Sequence, residues 1–172
     1  MDKYAAKGFT LVELIIVIIL LAIVTVYAAS RYFGVGSFAA YTAQEQTIAV
    51  IRQVQLSRMQ ANIADLNSYC DSPAAPSELK QHCLRSRLSI QTGLPSCIGS
   101  SLACSLTTEQ RSDVMLSDQV TVSVTPNVTD ISFDMLGNPQ GAAAGGITLT
   151  LTASDSQTRV CINAQGYVSG GC

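Results

Sequence analysis

A chain of 172 residues has room for one modest domain plus one long extra element. Its formal charge of -2 gives no general pull towards nucleic acid or acidic lipid, and only 13% of its residues are charged against 48% hydrophobic. The apolar excess is concentrated between Phe9 and Ala29, so the composition describes an apolar anchor joined to an ordinary polar domain.

Residues 1–8 are polar and carry Lys3 and Lys7. From Phe9 the chain runs FTLVELIIVIILLAIVTVYAAS with one charged side chain, Glu13, before Arg31. A helix that crosses a hydrocarbon core needs about 20 apolar residues, and this run is long enough. Lysines ahead of the span favour a cytoplasmic N-terminus and put the rest of the chain outside. The cysteines agree with that orientation: Cys70, Cys83, Cys97, Cys104, Cys161 and Cys172 all follow the span, an even number suited to disulfides in an oxidising compartment. There is no C-x-x-C pair, and the single histidine, His82, has no ligand-like neighbour beyond Cys83. Neither a metal nor another cofactor is expected.

Three readings compete for the N-terminal run. It could be a secretory signal cut near Val26-Tyr27-Ala28, or a plain uncleaved anchor. Both leave Glu13 unexplained, because a carboxylate inside a membrane helix costs roughly 2.5 to 3.5 kcal/mol on insertion scales. The third reading accounts for it. Gly8-Phe9-Thr10-Leu11-Val12-Glu13 resembles the leader junction of type IV pilins and of type II secretion pseudopilins. In that family a membrane-embedded aspartyl peptidase cuts after the glycine and the new N-terminal residue is methylated. The resemblance implies cleavage between Gly8 and Phe9, N-methylation of Phe9, and a role for Glu13 in filament assembly. A residue without a side chain at the cut lets a peptidase approach the backbone closely. Glu13 would lie about one helical turn from the new amine, so that carboxylate and amine of neighbouring subunits could neutralise each other.

Many major pilins have a helix-kinking proline where this chain has Ser30. The expected soft points here are Gly34 and Gly36, each about 1 kcal/mol less favourable in a helix than alanine. Gly34-Val35-Gly36-Ser37 also matches part of a nucleotide-binding loop. Its position after a membrane-length run, not between a strand and a helix, makes that match accidental.

From Phe38 to about Asn67 the chain has no Gly or Pro, and Tyr41, Ile48, Ile51, Met59 and Ile63 recur at helical spacing, with Val50, Val54 and Leu56 broadening the face. A single long helix is predicted, half membrane span and half core-packing. Residues 68–118, with Pro73, Pro76, Pro95 and four cysteines, are predicted as a cysteine-rich loop region held by cross-links. Short helices are expected from Ser77 to about Arg87 and from Thr107 to Asp113, where Thr107 and Gln110 have capping-box spacing. Lys80, His82, Arg85 and Arg87 read as one solvated helix face, and nucleic acid is not an expected partner.

Strand signals begin at Gln119. Val120–Val124, Ile131–Phe133 and Ile147–Leu151 alternate, Gly137-Asn138-Pro139 and residues 141–146 supply turns, and Arg159–Ile162 and Tyr167-Val168 close the series. The expected architecture is α+β: a long N-terminal helix packed on one C-terminal antiparallel sheet. The segments are 1–8 leader, 9–30 membrane and assembly helix, 31–67 amphipathic helix, 68–118 loop region and 119–172 sheet. The strand pattern with Gly137-Asn138-Pro139 and Gly166-Tyr167-Val168 resembles minor pseudopilin H and related minor pilins. Tyr41–Gln46 with Gln55–Gln60 resembles minor pilins of the mannose-sensitive haemagglutinin (MSHA) pilus.

A Cys161–Cys172 bridge would pin the last strand to the tail, and nearest-neighbour pairing adds Cys70–Cys83 and Cys97–Cys104, although six cysteines permit 15 connectivities. The resemblance implies a structural subunit held in the inner membrane with its head in the periplasm, then built into a surface pilus or a secretion pseudopilus. The implied partners are membrane lipid, other pilin subunits, the prepilin peptidase and methyltransferase, and an inner-membrane assembly platform. A pilus-displayed module that binds DNA or surfaces is the other functional class, but the tail has no Lys or Arg after Arg159 to hold DNA. No catalytic residue is expected: no nucleophile elbow or zinc-ligand helix is present, and a triad would have to use His82.

Overall fold

The computed structural model describes residues 10–106 and 111–172, with residues 30–37 described by helical backbone alone. The chain divides into two compact units at Val35 and Gly36. One helix, α1 (Leu11–Gln60), supplies residues to both, and its assignment runs without a break through Gly34 and Gly36.

In the first unit, Leu11–Ala29 is 19 residues long with mean hydropathy 2.9, and its side chains are exposed. At 1.5 Å per residue that is about 28 Å of helix, the thickness of a bilayer's hydrocarbon core. Helix is the conformation such an apolar run needs, since every backbone group is then paired within the segment. Thr25, a polar residue in the run, satisfies its hydroxyl by donating to the Ala22 carbonyl at 2.9 Å.

The second unit is built on the rest of α1. Ala40, Ala43, Thr47, Ile51, Val54 and Arg58 follow one another at three or four residues and are all buried. Ile48 and Val50 broaden this face. Three residues expected on it are not there: Tyr41, Leu56 and Met59 are 54%, 53% and 44% exposed. The predicted helix reached Asn67, but α1 stops at Gln60. Asn62 takes a left-handed φ of 48°, a conformation in which asparagine often ends a helix.

The remaining elements are α2 (Ser77–Ser86), β1 (Arg87–Gln91), β2 (Ser96–Ser100), α3 (Ser101–Leu106), β3 (Val114–Ser117), β4 (Thr121–Thr125), β5 (Asp130–Ser132), β6 (Ile147–Thr152), β7 (Gln157–Ile162) and β8 (Val168–Gly170). They form two antiparallel four-stranded sheets, ordered β3-β2-β1-β5 and β4-β6-β7-β8. This corrects two expectations. Residues 68–118 are not mainly loop, because they contain β1, β2 and β3. And the C-terminal strands do not share one sheet, because β5 pairs with β1, Leu88 opposite Ile131. Strand β2 is buried at every position, so it lacks the alternation by which a half-exposed strand is recognised. Leu88, Ile90, Ile98 and Ile131 of the first sheet and Leu149, Leu151, Val160 and Ile162 of the second meet the α1 face in one core. The fold is α+β.

Disulfides join Cys70 to Cys83, Cys97 to Cys104 and Cys161 to Cys172. The first ties the 3-10 turn Asn67–Tyr69 to α2 around a small satellite core with Leu66, the second ties β2 to α3, and the third holds the last residue to β7. In the chain-entropy account each closure of this size removes roughly 2.5 to 3 kcal/mol of unfolded-state freedom.

Candidate functional site

At the start of α1, Thr10 stands one residue before the helix and its hydroxyl oxygen accepts the Glu13 N–H at 3.2 Å. Thr10 and Glu13 thus occupy the N-cap and third positions of a helix start, and Glu13 sits where the helix dipole favours a negative charge. The Glu13 carboxylate is exposed and has no hydrogen-bond or ion-pair partner among the described residues. A free carboxylate therefore lies inside the membrane-length apolar run. Gly8 and Phe9, expected to form the cleavage junction, lie outside the described residues.

Residues 3–29 match the family model for the prokaryotic N-terminal methylation motif. The chain's N-terminal segment therefore carries a prokaryotic N-terminal methylation motif. A comparison with curated proteins found no match. Among solved structures the chain is similar to the type IV minor pilin FimU of Pseudomonas aeruginosa strain PAO1, at 12% identity and a TM-score of 0.46, over 77% of this chain and 87% of that one. That likeness is too low to carry an argument about function.

In the second unit, four polar side chains of α1 hold backbone carbonyls of the strands, their turns and the segment that follows the helix. Gln44 Nε2 donates to Arg159 O at 2.7 Å and Arg52 Nη2 to Val168 O at 2.9 Å. Gln55 Nε2 donates to both Gly137 O at 3.0 Å and Gly166 O at 2.7 Å, joining two turns through one amide. Gly166 has a φ of +78°, and a Cβ there would run into the Gly137 carbonyl oxygen, so only glycine fits this abutment. Arg58, 2% exposed, donates from Nε to Phe133 O and from Nη1 and Nη2 to Ile63 O and Ala64 O, each at 3.0 Å. Its guanidinium has no carboxylate partner among the described residues; carbonyl dipoles take that place. Sequence reasoning missed this clasp, because Gln and Arg between apolar residues look like a solvated helix face.

The turn that Gln55 and Arg58 hold is organised by Asp134. Its carboxylate accepts the N–H groups of Leu136 and Asn138 and the Asn138 side-chain amide, each at 2.8 Å. Burial pushes the Asp134 pKa up, but these bonds outweigh it and hold the carboxyl below the usual carboxylate range. Asp113 is alike: burial raises its pKa, while the Arg111 guanidinium at 2.9 Å and the Ser100 hydroxyl at 2.6 Å lower it further than burial raises it. Because both folded pKa values lie below the unfolded ones, their stabilisation is present above about pH 4 and is lost as the pH falls through the folded values. Urea unfolding should therefore show lower stability at pH 3 than at pH 7. Asp134→Asn should narrow that difference by lowering stability at pH 7; an unchanged pH difference would remove Asp134 from this role.

The basic cluster divides in the structure. Lys80, His82 and Arg85 lie on α2, but Arg87 is the first residue of β1 and pairs with Asp71 at 3.1 Å. The expectation of one solvated face including Arg87 is thus corrected. A groove of about 520 Å³ separates the end of α1 from α2 and is lined by Ser57, Gln60, Ile63, Glu78, His82 and Arg85 among others. Ser57 and Arg85 also line an adjoining cavity of about 410 Å³ with Arg111 and Asp113. Thr107 and Gln110, expected to cap a helix reaching Asp113, lie outside the described residues; Ser112 and Asp113 form a turn before β3.

Proposed function

We propose that this chain is a minor type IV pilin: a structural subunit that the prepilin peptidase cuts between Gly8 and Phe9, that is then N-methylated on Phe9, and that assembles into a surface filament. Before assembly, Leu11–Ala29 holds it in the inner membrane with the disulfide-bonded head in the periplasm. The observation that carries this reading is the free Glu13 carboxylate at the start of an apolar helix within the methylation motif. A carboxylate so placed is stable in a lipid or protein interior only when neutralised, and the new N-terminal amine of a neighbouring subunit supplies the charge. The minor-subunit assignment, with a role in pilus assembly or adhesion like that of the MSHA minor pilins, is supported by the residue patterns of the second half of α1 and the last strands. The other partners follow from the same reading: other pilins, the processing enzyme and an inner-membrane assembly platform. The role of the subunit is mechanical, not catalytic.

The test is the mass of the mature chain recovered from filaments. It should lack residues 1–8 and carry one added methyl group on Phe9. A mature N-terminus at Ala29 would instead identify the run as an ordinary secretory signal, and an intact N-terminus would make it a plain anchor.

A further inference from the structure

The β4-β6-β7-β8 sheet turns one face to the core and the other outward, and β4 and β6 carry Thr or Ser at every outward position. Val124, Leu149, Val160 and Val168 pack inward, so Thr125, Thr148, Cys161 and Ser169 point out. The register sets these four side by side in one row: Thr125 opposite Thr148, Thr148 opposite Cys161, and Cys161 opposite Ser169. Neighbours in such a row stand about 4.5 to 5.5 Å apart.

At the end of this row Gly145 and Gly146 have no side chain, and a groove of about 350 Å³ opens there. Its lining includes Thr125, Thr148, Asn163, Tyr167 and Ser169. A Cβ on Gly145 would meet nothing within 4 Å, so open space lies over that residue. None of the lining side chains carries a charge, and their polar groups are open. Thr125, Tyr167 and Ser169 make no side-chain hydrogen bond among the described residues. Asn163 Oδ1 accepts the N–H groups of Gln165 and Tyr167 at 3.0 and 2.8 Å, which leaves its Nδ2 to donate and fixes the stretch carrying the Tyr167 ring. That ring is 64% exposed. Arg159 lies one outward position along β7, opposite Thr150, and neither it nor the chain end at Cys172 lines the groove.

These features select one class of ligand. An uncharged lining gives a phosphate, a nucleic acid or an acidic sugar nothing to pair with. Ile147 and Ile162, the aliphatic residues of the lining, are buried, so a lipid or an apolar peptide finds no anchor. Hydroxyls and a carboxamide match a ligand covered in hydroxyls, and an exposed phenol ring offers its face to the C–H side of a sugar ring. The volume is at the small end for ligand pockets. We propose that this groove binds a neutral saccharide, with a sugar ring against Tyr167 and its hydroxyls held by Thr125, Thr148, Asn163 and Ser169. The inference rests on the reading of the chain as a displayed subunit with a part in adhesion, and names the class of surface it would hold. Single contacts of this kind are weak, and repetition along a filament or a cell surface makes them effective.

The test uses the full-length chain in phosphatidylcholine nanodiscs, free of sugar detergents, and saturation-transfer NMR with the methyl glycosides of glucose, galactose, mannose and N-acetylglucosamine. At least one should bind with a dissociation constant of about 1 to 10 mM. Raising sodium chloride from about 50 to about 500 mM should leave that constant unchanged, since no charge takes part. Tyr167→Ala should weaken binding about fivefold to tenfold, and Gly145→Leu, whose side chain would occupy the groove, by at least about tenfold. Both positions are exposed, and unfolding midpoints equal to the parent's would show the fold intact. Thr121→Ala, two outward positions away along β4, should bind as the parent does. No transfer to any of the four sugars would overturn the proposal. So would binding that survives both Tyr167→Ala and Gly145→Leu, or tighter, salt-sensitive binding of methyl glucuronide, which would give the role to Arg159. Because the assay does not depend on filaments, sugar binding by a chain absent from filaments would sink the pilin reading alone. A chain that enters filaments and binds none of the sugars would sink this site alone.

Discussion

Replacing Arg58 by alanine is expected to lower the stability of the head by about 3 to 5 kcal/mol. Three carbonyl oxygens, those of Phe133, Ile63 and Ala64, take their hydrogen bonds from this one side chain. Buried carbonyls that lose a charged donor bear the desolvation cost, and the loss falls at once on the end of α1, the chain after it and the start of the Asp134 turn. Lysine would not restore the clasp, because a single ammonium cannot span three acceptors in the fork geometry of a guanidinium. The check is the urea unfolding midpoint of Arg58→Ala and Arg58→Lys beside the parent, with disulfides intact. Midpoints within experimental error of the parent for both would show that water replaces the guanidinium at no cost.

Glu13→Val should act at a different level. Insertion is expected to be unimpaired, because the exchange removes the residue that costs roughly 2.5 to 3.5 kcal/mol in a membrane helix. If Glu13 neutralises a neighbouring amine as proposed, incorporation into filaments should fall by about one to two orders of magnitude, because that amine is then left without its counter-charge in an apolar surrounding. Glu13→Gln should fall nearly as far, because it keeps the shape and loses the charge. Head stability should not change, as Glu13 lies in the first unit and the core of the head is drawn from the second. Filament yield compared with membrane content separates these outcomes. Equal incorporation of all three proteins would end the charge-pairing role.

How much of this was legible in the chain depends on the strength of each local signal. The run from Phe9 to Ala29 has one charge in a membrane-length stretch, and no tertiary contact is needed to read it. The alternating strands β6 and β7 and the helix at Ser77 were equally plain. Strand β2, small and buried on both faces with serine at each end, gave no period to read, and the prolines around it suggested loop. The helix face was half legible: Ile48, Ile51 and Val54 are buried as their spacing implies, while Leu56 and Met59 have the same chemistry but point to solvent.

The free carboxylate with which the functional reading began is a sequence-level fact. Glu13 stands four residues after Phe9 in an apolar run, and the energy of a charge in hydrocarbon makes that meaningful whatever the head does. The amino-acid order was therefore enough to propose an anchor and a filament subunit. Folding alone settled which polar residues became internal: Arg58 and Gln55 are fixed by carbonyls 75 and 82 residues further along the chain. It also selected one of 15 possible cysteine pairings and divided the strands between two sheets. Hydropathy and spacing report a residue's own preference for water or for a neighbour a few positions away. They carry no record of partners that only folding brings within about 3 Å.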